Sequence, residues 1–369
     1  MTTVAFIVNG SYESAMGHRA RELAARLADD YRIEIKYRSR RRLGAIIKFL
    51  IFLLRTRPKV SYVFDMSYSG VIASYLFKAI FRNVLIVETG DAIYELAKSS
   101  GTRGATGLFL TRVLESFSLG VADKVVVRGS LHRDYLLRRK VQAEVLQDGV
   151  DTSLFAPRDV CRLREQSGLS EFVTVGVVGS SVWSEKLQMC YGWELVETLR
   201  LLKDKPVVGI LIGDGSGIAH LKARCRKYGI EDKIKFMGYI PYEQLAEKLN
   251  LIDICLSTQT NNLVGQVRTT GKLPLYLAAG RYVLASDVGE AALVLNRDML
   301  VSYDGVKDSG YPQKLAERIR RILDEPEVIR KSSKNVELAK KYFDYSVLAE
   351  RMKRIIDSAM NSGGKGRKQ

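Results

Sequence analysis

The chain has 369 residues, 46% apolar and 27% charged, which is the mixture of a folded globular protein of about two domains and excludes a disordered or fibrous one. Its four cysteines and three histidines fall at neither metal-ligand nor disulfide-framework spacing, so we expect no metal site and a reducing compartment. The net charge of +17 is uneven, with nine bases and no acid between Lys36 and Lys59, which calls for an anionic partner.

The N-terminus runs directly into a strand pattern, so no signal peptide is expected, and no apolar run reaches the ~18 residues that span a bilayer. Strands are predicted over Thr3–Val8, Arg32–Tyr37, Val60–Phe64, Asn83–Glu88, Lys124–Arg128 and Glu144–Leu146. Helix patterns over Arg19–Asp29, Leu43–Arg55, Gly70–Phe81, Gly107–Leu119 and Leu131–Arg138 alternate with them. After the turn-rich stretch Gly149–Pro157 the alternation resumes, with strands from Phe172, Val207, Ile234, Ile252, Tyr282 and Leu300. The helices between them are expected over Glu185–Leu202, Ile218–Tyr228, Tyr242–Leu249 and Leu273–Ala279. Such alternation predicts an α/β chain of two doubly wound parallel-sheet domains. The expected boundaries are 1–155, 156–345 and a terminal helix with basic tail over 346–369 that returns to the first domain. Two such domains make a nucleotide-binding cleft at the carboxyl ends of their strands.

Four segments carry candidate chemistry. Val178-Gly179-Ser180-Ser181 reads as a strand–turn–helix junction whose free N–H groups suit phosphate, with Lys186 beyond it as a point charge. Gly213-Asp214-Gly215-Ser216-Gly217 follows another strand, and is either a tight turn or a close backbone approach to a ligand. Arg268-Thr269-Thr270-Gly271-Lys272 precedes an apolar helix, offering an N-cap and two cations for a diphosphate leaving group, or else an ordinary capped helix. Asp91, just past the fourth strand, is placed either to accept an acceptor's proton or to cap the next helix.

At these segments the chain resembles the GT-B glycosyltransferases, specifically the retaining family 4 group. The resemblance rests on Gly17-His18-Arg19-Ala20-Arg21-Glu22-Leu23, on Ala122-Asp123-Lys124 and on Gln147-Asp148-Gly149-Val150-Asp151 through Phe155. In the second half it rests on Ile212-Gly213-Asp214-Gly215, Phe236-Met237-Gly238 and Leu277-Ala278-Ala279-Gly280. It implies two Rossmann-like domains and sugar transfer from a nucleotide-sugar to a glycan or lipid-linked hydroxyl, with retention and without metal or cofactor. Donor contacts then fall on Ser180, Ser181, Lys186, Gly213, Gly215, Arg268, Thr269, Thr270, Gly271 and Lys272. Gly17, His18 and Asp91 then lie on the acceptor side, with His18, in the first loop, either a helix-start residue or a substrate contact. The family's two donor-binding glutamates fall on Val267 and Leu275, and its catalytic histidine on Gly90. Those departures sustain a second reading, a non-catalytic GT-B scaffold.

The apolar helix pattern from Leu43 to Arg55, led by Arg40, Arg41 and Arg42 and carrying Lys48, reads either as a segment lying on an anionic membrane surface or as a very apolar helix packed on a sheet. The bases are not interleaved with aromatic residues, so nucleic acid is not expected. The location expected is the cytoplasm, at the inner face of the cell membrane. His132 and His220 read as surface residues of basic helices.

Overall fold

The structure is a computed structural model that describes residues 1–38 and 44–365; Arg40, Arg41 and Arg42 lie outside the described residues. By its contacts the chain divides into two compact units. The first comprises Met1–Gly149, Val267–Thr269 and the chain from Tyr342 onward; the second comprises Val150–Gln266 and Thr270–Lys341.

The first unit contains strands β1 (Thr2–Val8), β2 (Tyr31–Tyr37), β3 (Val60–Phe64), β4 (Val84–Thr89), β5 (Lys124–Val127) and β6 (Ala143–Val145), in the order β2-β1-β3-β4-β5-β6. The second contains β7 (Val173–Val178), β8 (Val207–Ile212), β9 (Ile234–Gly238), β10 (Ile254–Ser257), β11 (Tyr282–Ser286) and β12 (Leu300–Val301), in the order β12-β11-β10-β7-β8-β9. Every pairing is parallel. Parallel strands are covered on both faces, which is why runs such as Val-Ser-Tyr-Val-Phe in β3 are buried at every position. Strand order reverses between β1 and β3 in the first sheet and between β7 and β10 in the second. Doubly wound sheets bind ligands beside such reversals, outside the carboxyl ends of the strands.

One face of the first sheet carries helix α1 (Ala15–Arg26) and the C-terminal helix Tyr345–Lys365, which seat Leu23, Leu348, Met352 and Ile356 on Phe6, Tyr62 and Phe64. The other face carries α2 (Ala45–Thr56), α3 (Tyr68–Phe81), α5 (Ala105–Val121) and α6 (Ser130–Arg138), which cover Ile7, Val63 and Leu85. The intervening α4 (Ile93–Ser100) is the helix that follows Asp91, and it has no side-chain cap.

Two other departures bear on the site. Helix α1 begins at Ala15, capped by the Ser14 hydroxyl that accepts from Gly17 N at 3.1 Å, so Gly17 and His18 lie in its first turn and not in a preceding loop. The helix expected over Glu185–Leu202 spans only Trp193–Leu201. Residues 180–192 form a closed loop in which Ser184 N donates to Met189 O, while Gln188 and Gly192 adopt left-handed φ values of 51° and 96°. A helix does not accommodate left-handed residues.

Leu348 is fully buried between the C-terminal helix and the first sheet. Leu348→Ala is expected to cost about 2–5 kcal/mol in chemical denaturation. A loss below about 1 kcal/mol would contradict this packing.

Candidate functional site

In the second unit, the loops after β7 and β8 lie back to back. A Cβ on Gly213 would fall 1.9 Å from Gly179 O, and one on Gly215 would fall 2.5 Å from Ser181 O. Gly179, Gly213 and Gly215 also hold φ values of 136° to 148°, open to glycine alone. These glycines are therefore explained by the approach of one loop to the other. Their donors are engaged too: Gly179 N bonds Ile212 O, Ser181 N bonds Asp214 O, and Gly213 N bonds Gly238 O. The Ser181 hydroxyl donates to Tyr191 O at 2.8 Å. The helix expected to open at Ser180 and Ser181 is corrected to a start at Trp193, and the Ser181 N–H is engaged. Ser180 and Lys186 are exposed on the loop.

What gathers at the β7/β10 reversal is a cation. Lys272 Nζ stands 3.2 Å from the centroid of the Tyr191 ring, and its Nζ and Cε lie 3.5 Å from where a Gly179 Cβ would be. The Tyr191 hydroxyl donates to Leu256 O of β10 at 3.0 Å, and Val178 N at the end of β7 donates to Tyr276 Oη at 2.8 Å. Glu194 is fully buried, accepts from Gly192 N at 3.0 Å, and is raised above the usual carboxylate range by burial, with Lys272 opposing. The ring thus holds a compact positive charge at a strand-end loop. The expected Thr269/Thr270 N-cap is absent: Gly271 occupies that position of the short helix Lys272–Ala278, with no side-chain bond.

In the first unit the carboxyl ends of β3, β4 and β5 hold a buried charge network. Arg19 reaches Glu88 Oε1 at 3.2 Å and donates to Gln147 O at 2.7 Å and Leu146 O at 3.0 Å. Tyr62 donates to Glu88 Oε2 at 2.7 Å. Arg128 pairs with Asp65, with Asp148 at 3.3 Å and with Glu88 at 3.5 Å. Burial works against the charge of Asp148, yet the guanidiniums of Arg128 and Arg19, with the Thr269 hydroxyl donating at 2.5 Å, hold it below the usual range. Asp65 is raised by burial, with Arg128 opposing. Its backbone and that of Met66 are both left-handed, at φ 54° and 39°. Such strain costs about 1–3 kcal/mol per residue and concentrates at functional sites.

Gly90, on which the family's histidine falls, lies against this network. A Cβ there would be 2.3 Å from Arg128 Cζ, so a side chain at 90 requires the guanidinium to move. Asp91 caps nothing, since Ala92 is the N-cap of α4 and has no side-chain cap bond. It accepts instead from Arg268 Nε at 2.6 Å and Nη2 at 3.3 Å, within the first unit's grouping. Arg268, expected on a diphosphate, is thus paired with the acceptor-side candidate. His18 lies 3.8 Å from Glu22 and packs edge-on to Tyr345. Gly17 is fixed by packing, as a Cβ would strike Ser11 O at 2.3 Å.

His132 corrects its expected surface position: it is 1% exposed, and burial pushes it down to about 4. His220 is exposed and stacks on Trp183, with ring centroids 3.8 Å apart. Among the described residues there is no group of three or more His, Cys, Asp or Glu that could hold a metal ion. Sequence reasoning passed over Glu88, Arg128, Asp65, Asp148, Tyr191 and Glu194. The available signal was a lone acid inside the apolar strand Val-Leu-Ile-Val-Glu-Thr.

Residues 173–325, most of the second unit, match the glycosyl transferases group 1 family. A curated relative, the 2-deoxystreptamine glucosyltransferase of Streptomyces kanamyceticus, is 26% identical over 190 residues. That alignment takes in 50% of this chain and 46% of the relative, so the chain matches about half the relative's length. Anabaena HepE, solved in complex with UDP, superposes with a TM-score of 0.75 at 16% identity, over 97% of this chain and all of that one. Sucrose-phosphate synthase of Thermosynechococcus elongatus superposes with a TM-score of 0.77 at 17% identity, over 98% of this chain and all of that one. These superpositions establish the GT-B fold across the chain.

The buried neutral His132 gives a test by pH. Its value in the fold lies below the ordinary 6.5, so between 6.5 and about 4 the unfolded chain takes up a proton that the fold refuses. Stability therefore falls as pH drops through that window, by roughly 2–4 kcal/mol. His132→Leu should flatten that slope in denaturant titrations; an unchanged slope would place the titration elsewhere.

Proposed function

We propose that this chain, which has the GT-B fold and carries the group 1 glycosyl transferase domain, transfers a sugar from a nucleotide-sugar donor to a hydroxyl acceptor. The observation that carries the proposal is the family match over 173–325, the region that places Lys272 at the reversal point of the second sheet. A transferase of this kind must stabilise the charge that develops on a departing diphosphate. Lys272, beside Gly179 and over Tyr191, is the cation positioned for it. In the first unit, Asp91, held by Arg268, is the group proposed to orient the acceptor hydroxyl and accept its proton.

HepE has been solved with UDP and with UDP-glucose, which favours a uridine diphosphate sugar as the first donor class to try. Membership of the retaining family 4 group, metal-independent chemistry, and a glycan or lipid-linked acceptor met at the inner membrane face belong to the same proposal. The second reading is a scaffold that binds no donor. It is favoured by Val267, buried at 3% exposure, and by Leu275, where the resemblance expects glutamates.

Calorimetry with UDP separates the two. We expect the wild type to bind, and Lys272→Ala to weaken binding about ten- to a hundredfold, the worth of one charge-assisted contact. No heat from the wild type at millimolar UDP would overturn transfer from this donor class and leave the scaffold.

A further inference from the structure

The outer side of α2, α3 and α5 is apolar where a covering helix layer is ordinarily polar. Ile47 and Ile51 on α2, Leu76 and Ile80 on α3, and Phe109 and Leu110 on α5 are 43% to 71% exposed. Together these three helices hold ten of the eighteen large apolar side chains that the described residues expose. They form one surface, because all three lie on the same face of the first sheet, with α2 packed on α3 and α3 on α5. Tyr75 of α3 meets Phe117 of α5 edge-on with ring centroids 5.4 Å apart, and Arg57 at the end of α2 lies 5.5 Å over the Phe81 ring of α3. Contiguous apolar surface of this kind marks a binding face.

Charge identifies the occupant. Between Gly44 and Arg82 the only acid is Asp65, at the end of β3, and within α5 the only acid is Glu115, which is 3% exposed. The exposed charges on the three helices and at the end of α3, Lys48, Arg55, Arg82 and Arg112, are positive, and the exposed Asp123 that follows α5 is already paired with Lys78 of α3 at 2.7 Å. A second copy of the chain would bring these bases against one another. An anionic bilayer offers both things that the face lacks, a hydrocarbon boundary for the isoleucines and phenylalanine and phosphates for the bases. No described helix is long and apolar enough to cross a membrane, which leaves surface attachment as the mode. We propose that the three-helix face of α2, α3 and α5 seats the first unit on an anionic lipid surface. This deepens the proposed membrane location by extending it from α2 to a three-helix platform, and it does not depend on donor binding.

The test is co-sedimentation with phosphatidylcholine vesicles, with and without phosphatidylglycerol. The wild type should bind the anionic vesicles at low salt and release them as salt rises. The double variant Ile80→Glu with Phe109→Glu, at exposed positions and so expected to melt with the wild type, should lose about tenfold or more in vesicle binding. Lys48→Gln with Arg55→Gln should weaken binding to the phosphatidylglycerol vesicles alone, and it guards against misfolding of the first variant. Both variants should retain the wild-type response to UDP, which separates this surface from the donor site. Failure of the wild type to bind anionic vesicles, or equal binding by both variants, would overturn the proposal. So would a wild-type dimer that the glutamate variant makes monomeric, since the face would then be a subunit interface.

Discussion

Two guanidinium groups, those of Arg19 and Arg128, are buried at the carboxyl ends of the first sheet, and the arrangement there follows from keeping them compensated. Glu88 is fully buried, touches both and accepts from the Tyr62 hydroxyl, while Asp65, Asp148 and two backbone carbonyls accept from the guanidiniums. Removing one partner from such a set leaves an uncompensated charge, at about 3–5 kcal/mol. The network therefore ties α1, three strands and the residues before Gly149 into one geometry. It also decides what residue 90 is. A side chain at Gly90, where the family resemblance places a histidine, would have to displace the Arg128 guanidinium from this network. Asp91 is left as the protonatable group at the end of β4, with Arg268 as its partner.

The second unit solves a different problem. Its sheet reverses order between β7 and β10, and the loops after β7 and β8 are glycine-bearing because they contact each other. Those contacts engage the N–H groups of Gly179, Ser181 and Gly213. In the proposed function the anion therefore falls to a side chain, Lys272, which lies on the Tyr191 ring beside Gly179. A lysine against an aromatic face keeps its charge while giving up part of its hydration, a reasonable starting point for a phosphate to displace the ring.

The architecture was legible in the sequence because fully buried parallel strands are short apolar runs between amphipathic helices. Val60–Phe64 and Val207–Ile212 were placed at their observed ends, and most other strands within two residues. The charge network was not legible. Arg19 bonds residues 69, 127 and 128 positions away, and no local pattern reports such distances. The glycine loops were visible as glycines, yet whether they serve a ligand or each other depends on two loops about thirty residues apart. The helix anticipated from Glu185 failed because hydrophobic periodicity says nothing of left-handed Gln188 and Gly192. The apolar face was read from α2 alone; α3 and α5 extend it only after the fold lays them side by side.

The central claim is that the second unit receives a nucleotide diphosphate at the β7/β10 reversal, with Lys272 as its cation. A crystal structure of the protein soaked with UDP tests it most directly. The account predicts diphosphate oxygens within hydrogen-bond distance of Lys272 Nζ, beside Gly179, with the lysine drawn off the Tyr191 ring. UDP bound elsewhere, with Lys272 still seated on Tyr191, would contradict it.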